Sequence, residues 1–370
     1  MAGDFSGAGW RQVAASVVKR SLRLRRGQTV LIETWIHALP AAEALAREAR
    51  SLGVRPTILC ASEGSFLVPA RDTRPEDVWA LSRAEEAAAK SSDGYIFLPA
   101  GPDDLSSLDR LPPPLRRAYD RRRSEWWELL VKHAIPSVYL LAAMATAAGA
   151  RRYGVNAARW QRESIRASLV PPAAIQAAAR PLSQRLRRGH EIRLRHPNGT
   201  NLVLGLAGRI PVIDDGVVDQ QDLSIGRVGT VVPGGYVSVA LDETVASGTF
   251  LSNRPTRTRV GTYNGVRWNF EGGRLRSCSV RSGRGFLGEA FRTAGPEKDR
   301  PAILVVGLNP ELHDFPYAED QERGVVTLYI GHNDDFGGQS PGSFRRFALL
   351  RGATLSIDGH TLIRSGRTVS

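Results

Sequence analysis

The sequence predicts an α/β fold in two parts, an N-terminal doubly wound parallel α/β domain and a C-terminal β-rich α+β domain. Short apolar runs alternate with helical patterns as far as residue 140. Beyond about residue 190 the texture becomes Gly- and Val-rich, with period-two alternation and turn signals. Strands separated by helices imply parallel pairing, and strands separated by turns imply antiparallel pairing.

Residues 10–24 carry apolar side chains at helical spacing and stop near Arg26-Gly27, a C-cap signal. Thr29-Val-Leu-Ile-Glu-Thr is a β-branched run that reads as a buried strand. A helix follows from Pro40 to Leu52, stopped by Gly53, and Arg55-Pro-Thr-Ile-Leu-Cys is the second strand. Residues 84–90 form a helix, Gly94-Tyr-Ile-Phe-Leu-Pro a strand, residues 115–133 a long charged helix, and Ser137-Val-Tyr-Leu-Leu a strand. In such a sheet the ligand crevice lies beyond the carboxyl ends of the strands. The first strand runs into Glu33-Thr-Trp-Ile-His with no glycine-rich phosphate loop, so no dinucleotide is expected there. A helix from about Ile175 leads out of this domain. The run from Glu191 to Leu206 alternates on both sides of Pro197-Asn-Gly, which makes a hairpin. Further strands are expected over 226–239, 261–270, 325–331 and 353–363. The boundary is placed so that domains span 1–183 and 184–370.

Composition narrows the function classes. Hydrophobic residues make up 42% and charged residues 24%, a globular balance that excludes disordered and collagen-like chains. Cys60 and Cys278 sit in no ligand spacing, which excludes disulfide scaffolds and cysteine-based zinc sites. The N-terminus lacks the charge and apolar core of a signal peptide, and the most apolar stretch, 138–150, is too short for a bilayer. A cytoplasmic protein with no membrane partner is therefore expected. The net charge is +13, but only four of the 50 Lys+Arg are lysines (Lys19, Lys90, Lys132 and Lys298). The arginines are scattered and lack interleaved aromatics, so they read as solvated surface under a genome bias rather than as a nucleic-acid interface.

Six phrases of the second half, in order, resemble the aminopeptidase T family of metallopeptidases. They are HPNGTNLVLGLAGR, DDGVVD, VVPGGYVSVALDETVASGTF, VVGLNP, GVVTLYIGHNDDFGG and TLSIDGHTLIRSG. In the first half, VLIETWIHALPAAEALAREARSLGVRPTILC matches the family's opening strand–helix–strand. The resemblance implies two domains, a homodimer, and two divalent metals held by Glu, His and Asp in the C-terminal domain. The same fold serves a pyridine-ring-opening iron dioxygenase, so it does not fix the chemistry. The five positions that match the family's metal ligands carry Tyr236, Ile303, Thr327, Arg346 and Ala348, and the position of its catalytic Tyr carries Asp334.

These departures lead to the expectation of no cofactor. The inherited cavity then binds or transforms a small anionic molecule or peptide ligand. His332, Asp334 and Tyr236 are the candidate catalytic residues. Arg345, Arg346 and Asp335 are the candidate substrate-binding residues, arginine offering a planar fork to a carboxylate. In a second expectation the chain is a metal-dependent hydrolase, with zinc, manganese or iron at relocated ligands His313, Asp314, His332 and Asp334. In a third it is a non-catalytic scaffold or binding protein, its old site filled by an Arg346–Asp334 pair.

Overall fold

The computed structural model describes residues 5, 7–67, 73–99, 101, 107, 111–258, 261–283, 291–292, 294–342 and 344–369. The chain forms two compact units, Met1–Val170 with Gly216–Gly234, and Pro171–Asp215 with Gly235–Ser370.

The first unit is doubly wound. Helix α1 (Ala8–Ser16) buries Trp10, Val13 and Ala14, and a π-helical turn (Val17–Ser21) replaces the expected continuous helix to residue 24. Strand β1 (Thr29–Trp35) leads to α2 (Leu39–Ser51), which has a proline in its first turn where no N–H is needed. Strand β2 (Arg55–Ala61) follows, then α3 (Arg83–Lys90), opened by a Ser82–Glu85 capping box. Next come β3 (Gly94–Phe97), α4 (Pro113–Lys132) and β4 (Ser137–Leu140). The strands pair in parallel in the order β2-β1-β3-β4. Val30, Ile32, Ile96 and Val138 bury one face with α1 and α2. Leu31, Tyr95 and Phe97 bury the other with Trp126 and Leu130 of α4.

The second unit begins with α5 (Pro172–Arg188), then the hairpin β5 (Glu191–His196) and β6 (Thr200–Gly205), and β7 (Val212–Asp214). The chain then returns to the first unit, where β8 (Gly229–Val232) pairs in parallel with β4 as its fifth strand. The rest is antiparallel. It comprises β9 (Tyr236–Ala240), β10 (Asp242–Leu251), β11 (Thr256–Thr258), β12 (Gly261–Tyr263), β13 (Arg267–Glu271) and β14 (Arg274–Ser279). It ends with β15 (Pro301–Gly307), β16 (Val325–Gly331), β17 (Arg345–Arg351), β18 (Thr354–Ile357), β19 (His360–Arg364) and β20 (Arg367–Thr368). An eight-stranded sheet, β14-β13-β10-β6-β5-β18-β19-β20, and a five-stranded sheet, β17-β16-β15-β9-β7, share one core.

Two expectations are corrected here. The division falls before Pro171, not between residues 183 and 184, because α5 buries Ala179, Leu182 and Leu186 in the second core. Residues 216–234 belong to the first unit, because Gly229-Thr-Val-Val completes its parallel sheet. A short Val-rich run looks alike in either kind of sheet, so its pattern does not choose between them. No helix among the described residues is long and apolar enough to cross a membrane.

Candidate metal and acid-base site

The site builds on the face of the five-stranded sheet that turns away from the large core. Side chains alternate along each strand and residues paired across strands share a face. Val237, Leu304, Val306, Leu328 and Ile330 point into the core. Tyr236, Ile303, Val305 and Tyr329 take the other face and pack with Phe336. Thr327 pairs with Val305 and lies on that face as well. Arg346 pairs with Ile330, and Ala348 with Leu328, so both belong to the core face. Arg345, Phe347, Leu349 and Arg351, paired with Gly331, Tyr329, Thr327 and Val325, are the residues of β17 on the Tyr236 side. The five positions matched to the family's ligands therefore do not converge. Strand alternation corrects that match at Arg346 and Ala348.

Two glycines set the geometry at the strand ends. Gly235 has φ +134°, and a Cβ there would lie 2.7 Å from the Cβ of Asn309. Only glycine lets the turn before β9 pass so close to the Gly307-Leu-Asn-Pro corner. Gly331 has φ +119°, and a Cβ there would lie 2.0 Å from the Phe344 carbonyl oxygen. It turns the chain out of β16 into the loop His332-Asn-Asp-Asp-Phe.

That loop is fastened by a residue the sequence reading passed over. Asn333 is fully buried; its Nδ2 donates to the Ala302 carbonyl at 3.0 Å, and its Oδ1 accepts from the Ser340 N–H at 3.0 Å. Asn333→Ala leaves buried backbone groups unmatched, at an expected cost of about 2–3 kcal/mol. It should also scatter the neighbouring donors, which chemical denaturation and metal titration read separately. A variant that unfolds and binds as wild type would contradict this role.

The far side of the loop is held by charge. The Gln339 N–H donates to Glu243 at 2.7 Å, and Arg209 grips the same carboxylate with two bonds, 2.7 and 2.6 Å. Burial alone would raise the Glu243 pKa, but the Arg209 pair and the Gln339 N–H outweigh it and hold it at about 2. Glu243→Gln leaves Arg209 unbalanced, an expected loss of about 3 kcal/mol at pH 7. A folded pKa below the ordinary 4.5 makes this contribution whole above pH 4.5, fading as pH falls toward 2. Unfolding curves should therefore converge in that window. A gap constant from pH 7 to 3 would contradict the assignment.

On this frame His332, Asp334 and Asp335 come together. The Nδ1 of His332 lies 3.2 Å from Asp334 Oδ1 and 3.8 Å from Asp335 Oδ1. One donor atom from each lies within 4.8 Å of the others. Arg345 closes the group, its guanidinium bonded to Asp335 and 3.0 Å from His332 Nδ1. The expected Arg346–Asp334 pair is thus replaced by Arg345–Asp335. Arg346 instead lies over the Phe344 ring at 5.0 Å and donates to the Arg345 carbonyl at 2.9 Å.

A second pair lies on the same face. The loop between β15 and β16 brings Asp320 to Tyr329, whose hydroxyl donates to Asp320 Oδ2 at 3.2 Å. Burial raises the Asp320 carboxyl to about 6, with the hydrogen bond from Tyr329 opposing and Asp214 adding to the rise. The Tyr329 hydroxyl is pushed well above its ordinary range, by burial first and by the Asp320 charge second. A carboxyl poised near neutral pH suits proton transfer. Asp320 sits in a loop, Ala-Glu-Asp-Gln, that has no motif, so only the fold reveals it.

The relocated four-ligand site is also corrected. His313 is exposed, and Asp314 is bound 2.8 Å from both Arg254 and Arg257, in an ion network with Glu319 and Glu322. Neither joins His332 and Asp334 in the metal-capable group.

Wild-type AmpT (aminopeptidase T) from Thermus thermophilus superposes on this chain with TM-score 0.75 and 18% identity, over 98% of this chain and 99% of that one. The fold is aminopeptidase T-like. A 2,5-dihydroxypyridine dioxygenase from Pseudomonas putida follows at TM-score 0.61 and 13% identity, covering 97% of this chain and 96% of its own. Comparison of the sequence with protein-family profiles and with curated proteins gives no match.

These neighbours overturn one expectation. Both the aminopeptidase T and the dioxygenase are metal-dependent enzymes, which conflicts with a chain that uses no cofactor. The donors on the loop suit a divalent ion of the zinc, manganese or iron kind, since imidazole and carboxylate are their ordinary ligands. Two donors on one ion, each about 2.1 Å from it, stand at most about 4.2 Å apart. Small rotations of the exposed Asp334 and Asp335 close the difference from 4.8 Å. The group already holds one cation, the Arg345 guanidinium.

Proposed function

We propose that the chain is a metal-dependent hydrolase of peptide-like substrates, with a divalent ion held by His332, Asp334 and Asp335. What supports this most is the meeting of an imidazole and two carboxylates on the loop that Asn333 fastens. A divalent ion held by these three residues would supply acidified water and polarise a substrate carbonyl. The chain's own residues do the rest. Asp320 accepts a proton near neutral pH, and the Tyr329 hydroxyl orients its carboxylate. Tyr236 and Phe336 wall the face with aromatic surface. Arg345, which pairs with Asp335 in this structure, would offer its fork to a substrate carboxylate if Asp335 held the ion.

Elemental mass spectrometry of protein purified without chelator or affinity nickel tests the reading. About one equivalent of zinc, manganese or iron per chain is expected. Metal near zero after attempted reloading with each of the three, together with no release of p-nitroaniline from aminoacyl p-nitroanilides, would overturn it.

A further inference from the structure

The second unit holds a cavity that shares no lining residue with the loop site. The C-terminal part of α5 and the strands β18, β19 and β20 line an open cavity of about 920 Å³. Pockets for small organic molecules span roughly 300–1,000 Å³.

The floor is apolar. Leu182 and Ile357 are buried beneath it and Leu362 is half-buried. Val369 borders the cavity and is 39% exposed, apolar surface that a ligand would cover. On the helix, Ala177 and Pro181 stand where longer side chains would fill the space.

The rim is cationic. Arg185 and Arg188 lie three residues apart on α5, hence on one side of the helix. Both are exposed, and neither has an acidic partner among the described residues. His360 lines the same space. The acid in the lining, Asp358, is already engaged: it accepts the N–H of His190 at 3.1 Å and of Glu191 at 2.9 Å. Unpaired positive charge therefore stands beside an apolar floor.

We propose that this cavity binds an acyl carboxylate, its chain along Leu182, Ile357 and Leu362 and its head between Arg185 and Arg188. Charge-assisted bonds to two guanidinium groups select the anion, and the floor selects the chain. A peptide would need partners for its own amides. The helix wall offers Ala177, Ala178, Pro181 and Leu182 with a single amide side chain, Gln184, so an unbranched chain fits it better.

Calorimetric titration of the full chain with decanoate, below its micelle concentration, tests the proposal. One decanoate per chain is expected, bound more weakly as salt rises. Decanol and decyltrimethylammonium should bind at least about ten-fold more weakly, as should decanoate to the double variant Arg185→Gln/Arg188→Gln. Leu362→Asp, which puts an acid at the floor, should also lower the affinity, with circular dichroism confirming that it folds. Equal binding of the three ligands would overturn the proposal. So would an unchanged affinity in the arginine double variant, or tighter binding of N-acetyl-Leu-Leu than of decanoate.

Discussion

Replacing His332 and Asp334 together with alanine is expected to strip the chain of its divalent ion and cut aminoacyl p-nitroanilide hydrolysis at least about a thousandfold. A thousandfold corresponds to about 4 kcal/mol of transition-state stabilisation, which a Lewis acid and its acidified water supply together. The fold should survive, because Asp334 is exposed, His332 is half-buried, and neither lies in the core. Asn333, which fastens the loop, is untouched. Arg345→Met separates the roles within the group. It removes the cation that occupies Asp335 and His332, so metal affinity should rise while KM for a substrate bearing a carboxylate rises as well. Unchanged metal content in the double alanine variant would place the ion elsewhere and sink the assignment.

Asp320→Asn is expected to lower kcat by about 10²–10⁴-fold, the usual worth of a positioned general base. In the wild-type protein kcat/KM should climb with pH through about 6, where the carboxyl loses its proton. The variant should lose that limb, while its metal content stays unchanged. Tyr329→Phe gives an independent reading. Its hydroxyl stabilises the Asp320 carboxylate, so its loss should move the limb to higher pH. The groups that act on the Asp320 carboxyl are Tyr329, Asp214 and the neighbouring Glu319, whose own carboxyl burial raises to about 8. The response of the limb to Tyr329→Phe is what assigns it to Asp320, because that hydroxyl bonds Asp320 directly. A profile unaltered in both variants would remove Asp320 from the chemistry.

Much of the architecture was legible because periodicity reports local structure. The run Thr29-Val-Leu-Ile and the helix from Pro40 were readable as a buried strand and its crossover, and they are β1 and α2. The Pro197-Asn-Gly turn was readable as a hairpin between β5 and β6. Pairing partners were less legible. Nothing in Gly229-Thr-Val-Val shows that it joins a sheet whose previous strand lies some ninety residues upstream. The loop group was found in part, since His332, Asp334 and Asp335 crowd one short segment, and Arg345 was named with Asp335. Arg346 was misplaced because a phrase match cannot resolve a one-residue slip, and one residue in a strand changes the face. Asp320 and Tyr329 were missed because their contact and their shifted protonation arise only when the loop folds onto β16.

The return of residues 216–234 bears on synthesis at the ribosome. Until Val232 has emerged, β4 has nothing on its outer side. Its backbone N–H and C=O groups then form an open edge, a template for pairing with another nascent chain. The strands β5, β6 and β7 of the second unit also emerge before β8 completes the first sheet. A fragment ending at Val170 keeps that edge permanently, so expressing the first unit requires carrying Gly216–Gly234 back to it, through a linker or by circular permutation.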